Sequence, residues 1–196
     1  IMAMVMSLFS SFCGAVLFYS RLSLPSFFPV SFERIARWSP LVGVGLALIL
    51  ASTNQIFRWG HFPPMVRVGL IISLWIWLTG GLHLDGAADT ADGLAVPDPA
   101  RRLEVMRDSL TGAFGVMTIA IILLLKTIAL GSLFEQSIYA HWGLIMTLGW
   151  GRWGQVVAIA AYPYLRAEGK GARHRKSLKL PQDLLLGAIF LGAIAG

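Results

Sequence analysis

Five long stretches of this chain contain at most one charged residue each: Met2–Tyr19, Leu41–Phe57, Val68–Leu84, Thr111–Phe134 and Tyr139–Tyr162. A sixth apolar run begins at Leu184 and stops at Gly196. A helix needs about 20 mostly apolar residues to cross a bilayer, and a soluble domain of 196 residues cannot bury a composition that is 56% hydrophobic and 13% charged. The sequence therefore predicts an all-α, polytopic helical integral membrane protein. We expect about five to six spans, the last one truncated, in a single catalytic domain over residues 1–196.

The basic residues alternate between the loops that join these runs. Twelve Lys and Arg lie in the first, third and fifth loops, whereas two lie in the second and none in the fourth. Because Lys and Arg accumulate in cytoplasmic loops, we expect the first, third and fifth loops to face the cytoplasm of a cell inner membrane. Topology thus explains most of the net charge of +6, and no nucleic-acid partner is expected. The single cysteine, Cys13, excludes an internal disulfide framework.

The acidic stretch Gly80–Leu94 (GGLHLDGAADTADGL) is the part of the sequence that most suggests chemistry. Asp85, Asp89 and Asp92 stand at i, i+4 and i+7, which places them on one face of a helix. No Lys or Arg lies among them in sequence, so a bound cation is expected to compensate their charge at a membrane boundary. Carboxylates without His or Cys at metal-binding spacing favour Mg²⁺, or Mn²⁺, over zinc. The pattern predicts metal-dependent phosphoryl transfer on a diphosphate.

Several features near this stretch have competing interpretations. Asp108 is either a fourth metal ligand or the N-cap of the apolar helix that begins near Thr111. His83, two residues before Asp85, is either a general base or a residue satisfied by a structural hydrogen bond. The acidic face itself has a structural alternative, because aspartates are favourable at the start of a helix. The segment Asp98–Leu110 is expected to form a short helix with one apolar stripe at the membrane surface.

Two cations interrupt otherwise apolar runs. Lys126 lies about four turns into the fourth run, and Arg152 lies inside the fifth. A charged side chain inside a membrane helix is functional by default, so each is expected to contact a substrate phosphate or an aspartate. The alternative for Lys126 is snorkelling to the interface. The alternative for Arg152 is tight packing among the glycines and tryptophans that flank it.

These motifs together resemble a known family. The acidic stretch, the following RRLEVMRDSLTGAFG, the helix with Lys126, then Arg152 and the YLRAEGKG stretch from Tyr164 are similar to cobalamin synthase, formally adenosylcobinamide-GDP ribazoletransferase. The resemblance extends from Tyr19 to about Gly171. It implies a multi-span, Mg²⁺-dependent enzyme of the last stage of adenosylcobalamin (vitamin B12) biosynthesis. Such an enzyme joins adenosylcobinamide-GDP to α-ribazole or its 5′-phosphate and releases GMP. Its expected protein partners are further copies of the same chain, in a homo-oligomer, or other enzymes of the pathway.

The resemblance also implies roles for individual residues. Asp85, Asp89, Asp92 and Asp108 would hold the metal on the diphosphate, and one of the first three carboxylates or His83 would take the proton of the attacking ribose hydroxyl. Six cations are expected to bind substrate phosphates: Arg107, Lys126, Arg152, Arg166, Arg173 and Arg175. Family members are usually longer, and a TGDxxGA-type motif near their C-terminus has no counterpart in this chain.

Two other functions compete with this interpretation. A CDP-alcohol phosphotransferase also places aspartates beside a DG pair on membrane helices. Its Ala-Arg after that pair is missing here, because Asp85-Gly86 is followed by Ala87-Ala88-Asp89. A cation-binding transporter would use the aspartates for its ion, and would carry helix-breaking apolar segments in matched halves, which the sequence does not show.

Overall fold

The computed structural model describes residues 2–136, 139–163 and 170–195, with only the backbone for residues 140 and 170–173. All regular elements in this part of the chain are helical, which confirms the predicted all-α class. The helices are α1 Met2–Tyr19, α2 Ser39–Trp59, α3 Pro64–Thr79, α4 Leu82–Ala95, α5 Pro99–Val105, α6 Ala113–Glu135, α7 Ala140–Ala161, α8 Lys170–Ser177 and α9 Gln182–Ala195. A 3₁₀ turn, Ile35–Trp38, leads directly into α2.

Three helical segments of the described chain are long and apolar enough to cross a membrane: α1, the segment Ile35–Trp59, and α6. The pair α3 and α4 qualifies only together and is bent by 83°, which makes four candidates if the pair is one broken span. This is fewer than the five to six runs expected. The 22-residue α7 is not among the candidates, because His141, Arg152 and Gln155 reduce its apolarity. The 14 residues of α9 extend over about 21 Å, short of the bilayer core.

The chain divides into two compact units, and the single catalytic domain stays a prediction. The first unit combines Ile1–Ile56 with Ile138–Gly196. Its core side chains are at most 1% exposed at Ala15, Ile35, Ala47, Leu144 and Leu191. Glycines bring α7 and α9 together closely, since a Cβ at Gly149 would lie 2.6 Å from Leu191 and one at Gly187 would lie 2.7 Å from Trp153.

The second unit, Phe57–Ser137, contains α3 to α6, and both α3 and α4 pack on α6. A glycine pair separates α3 from α4. Gly80 and Gly81 have φ values of 68° and 72°, the left-handed region that glycine adopts without steric cost. The Gly81 amide donates to the carbonyl of Ile76 (3.0 Å), as in a Schellman motif, and α4 starts at Leu82. The run Val68–Leu84 is therefore broken, and α4 turns away from the direction of α3.

The segment after α4 forms a shorter helix than the sequence predicted. Asp98 caps α5, because its carboxylate accepts a hydrogen bond from the amide of Ala100 (3.0 Å). Leu110, expected on the apolar stripe, lies beyond the end of α5 and is 79% exposed. Met106 packs against α4 instead, where a Cβ at Gly93 would lie 2.7 Å from its Cγ.

Candidate active site

The predicted acidic face is present on α4. This helix is continuous from Leu82 to Ala95, so Asp85, Asp89 and Asp92 fall within about 60° of arc. Asp85, in the first turn, is exposed, whereas Asp89 and Asp92 are half-buried. Among the residues that the structure describes, no group of three or more His, Cys, Asp or Glu is arranged to hold a metal ion. The shared face is thus confirmed, while a preformed site of three or four carboxylates is not seen there.

Asp92 uses both of its carboxylate oxygens within the fold. Oδ2 accepts a hydrogen bond from the amide of Gly112 (2.7 Å), and Oδ1 accepts one from the amide of Gly115 (2.8 Å). The first amides of a helix have no partner inside that helix, and a negative charge at this end is favoured by the helix dipole. Asp92 on α4 therefore caps α6.

Asp108 does not serve as the N-cap of α6. That position belongs to Gly112, which makes no side-chain cap of its own. The Asp108 carboxylate instead accepts a hydrogen bond from the amide of Leu110 (3.0 Å) in the turn before α6, and its side chain is exposed. The capping interpretation of Asp108 is wrong, because Asp92 caps this helix from 20 residues away. Its role as a metal ligand stays a prediction.

His83 does not share the acidic face. It lies about 160° around α4 from Asp85, and it is exposed. The structure therefore places the imidazole and the three carboxylates on different sides of the helix. Arg107, the nearest predicted phosphate ligand along the chain, is exposed in the turn that follows α5, where its amide donates to the carbonyl of Glu104 (2.9 Å).

Lys126 has an aromatic partner inside the second unit. Its Nζ lies 3.7 Å from the centroid of the Trp75 ring on α3, which is a cation–π contact. Lys126 is about 20 Å along α6 from Ala113, whereas the α4 residues that precede Asp92 extend over about 15 Å. Measured along α6 from its start, where Asp92 lies, Lys126 is therefore farther away than the first residue of α4, and it lies beside α3. Its predicted contact with a phosphate is not tested by this geometry.

Arg152 is buried in the first unit and bonded to the protein itself. It is 7% exposed, and its Nη2 donates to the carbonyl oxygen of Tyr19 (2.8 Å) while its Nη1 donates to Oε1 of Gln155 (3.1 Å). A Cβ at Gly43 would lie 2.9 Å from its Cγ. These contacts support the packing interpretation, because they join α7 to the end of α1 and to α2.

The remaining predicted cations follow α7. Arg166 and the side chain of Arg173 lie outside the described residues. Arg175 is exposed, and its Nη1 donates to the carbonyls of Ile159 (3.2 Å) and Tyr162 at the end of α7. A cation at a helix C-terminus satisfies carbonyls that have no partner in the helix, so Arg175 has a structural contact at this position.

Sequence reasoning missed two polar contacts to buried side chains in the first unit. The Tyr19 hydroxyl lies 3.1 Å from Nδ1 of His174, which is 6% exposed. Burial lowers the pKa of His174, which favours the neutral imidazole. Arg34 donates to the buried Asp183 (2.6 Å). These partners are 155 and 149 residues apart, so local spacing gives no signal for either contact.

Comparison with known proteins gives a consistent result. The family model for cobalamin-5-phosphate synthase matches residues 11–196. A protein from Synechocystis sp. named adenosylcobinamide-GDP ribazoletransferase is 56% identical over 178 residues, which are 91% of this chain and 68% of that protein. Proteins of the same name from Trichormus variabilis and Synechococcus sp. are 47% and 51% identical over 98% of this chain, and over 75% and 77% of their own lengths. No solved structure matches the chain.

Proposed function

The chain belongs to the cobalamin-5-phosphate synthase family, and on that basis we propose that it is an adenosylcobinamide-GDP ribazoletransferase of adenosylcobalamin biosynthesis. Its substrates would be adenosylcobinamide-GDP and α-ribazole or its 5′-phosphate, and it would release GMP. The observation that carries the proposal is the family match over residues 11–196, which includes the whole acidic face of α4. None of the relatives cited above is named as a CDP-alcohol phosphotransferase or a transporter.

The proposed reaction exchanges a phosphoanhydride bond for a phosphoester bond. A ribose hydroxyl of the acceptor forms an O–P bond to the phosphorus on the cobinamide side of the diphosphate. The P–O bond to GMP breaks, and GMP leaves with its electron pair. The transition state spreads negative charge over the phosphoryl oxygens, so the site must supply cations and an acceptor for the hydroxyl proton.

Mg²⁺ is the proposed cation, with Mn²⁺ as a substitute. Asp85 and Asp89 fit such an ion, because they lie about one turn apart on one face of α4. Mg²⁺ commonly takes one or two carboxylates together with substrate phosphates and water, so a pair suffices where three preformed ligands are not seen. When bound, the ion supplies charge neutralisation for the diphosphate and for the leaving GMP.

The chain's own residues would orient the reactants at this face. A carboxylate of the acidic face is the proposed acceptor of the hydroxyl proton, because His83 lies on the other side of α4. Gly86 leaves room beside Asp85, since a Cβ there would meet no atom within 4 Å. A bulky substrate can therefore approach the backbone of α4 next to the carboxylates.

The proposed location is the cell inner membrane, with the acidic face toward the cytoplasm. The loop that follows α4 contains Arg101, Arg102 and Arg107, and such loops are typically cytoplasmic. A soluble nucleotide-linked substrate would meet the site on that side.

The decisive experiment measures GMP released by the purified chain in detergent. Adenosylcobinamide-GDP and α-ribazole are supplied with Mg²⁺ or with EDTA, and the Synechocystis relative serves as the positive control. We expect GMP release that requires both substrates and the metal. Release of CMP from a CDP-alcohol pair, or ion flux in proteoliposomes without GMP formation, would contradict the proposal.

A further inference from the structure

We propose that Asp92 is a positioning residue and not a metal ligand. Together with Gly112 and Gly115 it forms an interhelical cap, which holds the acidic face of α4 against the start of α6. The catalytic consequence of this cap rests on the proposed function. The cap itself rests only on the contacts of the second unit.

The first evidence is the use of the Asp92 carboxylate. Each oxygen accepts one short hydrogen bond from a backbone amide, at 2.7 Å from Gly112 and 2.8 Å from Gly115. Hydrogen bonds to a charged acceptor are stronger than those between neutral groups. A divalent ion at Asp92 would compete with both bonds and would repel the positive end of the α6 dipole.

The second evidence is the pair of glycines opposite the carboxylate. A Cβ at Gly112 would lie 2.5 Å from Oδ1 of Asp92, and its three nearest atoms all belong to Asp92. A Cβ at Gly115 would overlap Oδ2 of the same side chain. Gly112 has φ −79° and ψ 177°, a conformation open to any residue. Its lack of a side chain is therefore required by the closeness of Asp92 and not by the backbone.

The third piece of evidence is the position of the cap relative to Asp85 and Asp89. Asp92 is about one turn from Asp89 and two turns from Asp85 on the same face. The start of α4 follows two glycines in left-handed conformations, and because glycine has the widest range of allowed backbone angles, this joint alone does not fix the rotation of the helix. The cap near the other end of α4 fixes this rotation, and thereby the direction in which Asp85 and Asp89 point.

A double-mutant cycle on thermal stability tests the cap without metal or substrate. Asp92→Ala should lower the apparent Tm in detergent by about 4–8 °C, because two charge-assisted bonds are lost. Gly112→Ala should cost a similar amount in the wild-type background and less than about 2 °C in the Asp92→Ala background, since the steric conflict is then gone. Gly69→Ala, on α3 with no atom within 4 Å, is the matched control and should be small in both backgrounds.

A metal titration separates positioning from ligation. The Mg²⁺ concentration for half-maximal GMP release should rise at least about tenfold in Asp85→Asn, whereas Asp92→Asn should lower kcat with this concentration unchanged within about twofold. An Asp92→Asn variant with unchanged Tm and a tenfold higher Mg²⁺ requirement would overturn the inference. So would equal costs of Gly112→Ala in both backgrounds. If the wild type releases no GMP, the proposed function fails, and the thermal cycle still decides on the cap.

Discussion

In the first unit Arg152 is buried against a backbone carbonyl and Arg34 pairs with a buried carboxylate, whereas in the second unit a carboxylate is exposed on a helix face. Arg152 is bonded to the Tyr19 carbonyl, and Arg34 is bonded to Asp183, whose side chain is 0% exposed. In the second unit Asp85 is exposed at the start of α4. Arg152 lies inside an apolar run, whereas Asp85 directly follows one. What distinguishes them is the partner that the fold supplies.

This difference teaches how a charge in a membrane protein should be interpreted. Burying an ion without a partner costs free energy of folding. A buried cation that is hydrogen-bonded within the fold already has its partner, so it does not need a substrate to compensate its charge. An exposed carboxylate on a face with open space beside it is available to a ligand. We therefore expect variants of Arg152 to lose stability and variants of the exposed Asp85 to lose catalysis.

The largest expected effect is on turnover at the acidic face. Asp89→Asn should reduce the rate of GMP release at least about 100-fold, because a contact worth a few kcal/mol in the transition state is lost. Asp98→Asn is the control, since that carboxylate in the same unit caps α5. If the Asp89→Asn enzyme retains more than about a tenth of the wild-type rate, Asp89 is not a metal ligand.

The second expected effect is on the stability of the first unit. Arg152→Met should cost about 3 kcal/mol, because it leaves the Tyr19 carbonyl without its donor and removes a charged hydrogen bond. The apparent Tm should fall by roughly 6–12 °C, measured by tryptophan fluorescence in detergent. The exposed Arg101→Met is the control and should leave the Tm nearly unchanged.

The KM for adenosylcobinamide-GDP tests whether Arg152 contacts a substrate phosphate. We expect the folded fraction of the Arg152→Met protein to bind adenosylcobinamide-GDP with an unchanged KM. A normal Tm with a KM raised tenfold or more would show that Arg152 contacts a phosphate. The contrast between the two units would then be wrong for this residue.

Hydropathy was sufficient to predict the helices, but not where one of them breaks. Every apolar run of the sequence forms a helix in the described part of the chain, because backbone groups in an apolar environment must be bonded internally. The break at Gly80 and Gly81 lies inside the apolar run Val68–Leu84. Mean hydropathy does not detect it, since glycine is neither strongly apolar nor polar.

The site was predictable where its residues share a helix, and not where its contacts join distant segments. The spacing of Asp85, Asp89 and Asp92 was enough to place them on one face of α4. The bonds of Asp92 to Gly112 and Gly115 cross 20 and 23 residues, so the spacing gave no reason to treat Asp92 differently from its neighbours. Only the fold separates a capping carboxylate from one that faces a ligand.

The smallest expected effect concerns Lys126, which tests the comparison from inside the second unit. The cation–π contact with Trp75 should give a coupling of about 1 kcal/mol in a double-mutant cycle of Lys126→Met and Trp75→Leu, measured by unfolding in detergent. The coupling is the useful quantity, because removing a cation from an apolar helix also removes its desolvation cost. Lys126→Arg keeps the positive charge and is the control. If Lys126→Met instead lowers kcat/KM at least tenfold with no coupling to Trp75, Lys126 acts on a substrate phosphate. The second unit would then supply both the carboxylates and a cation of the site.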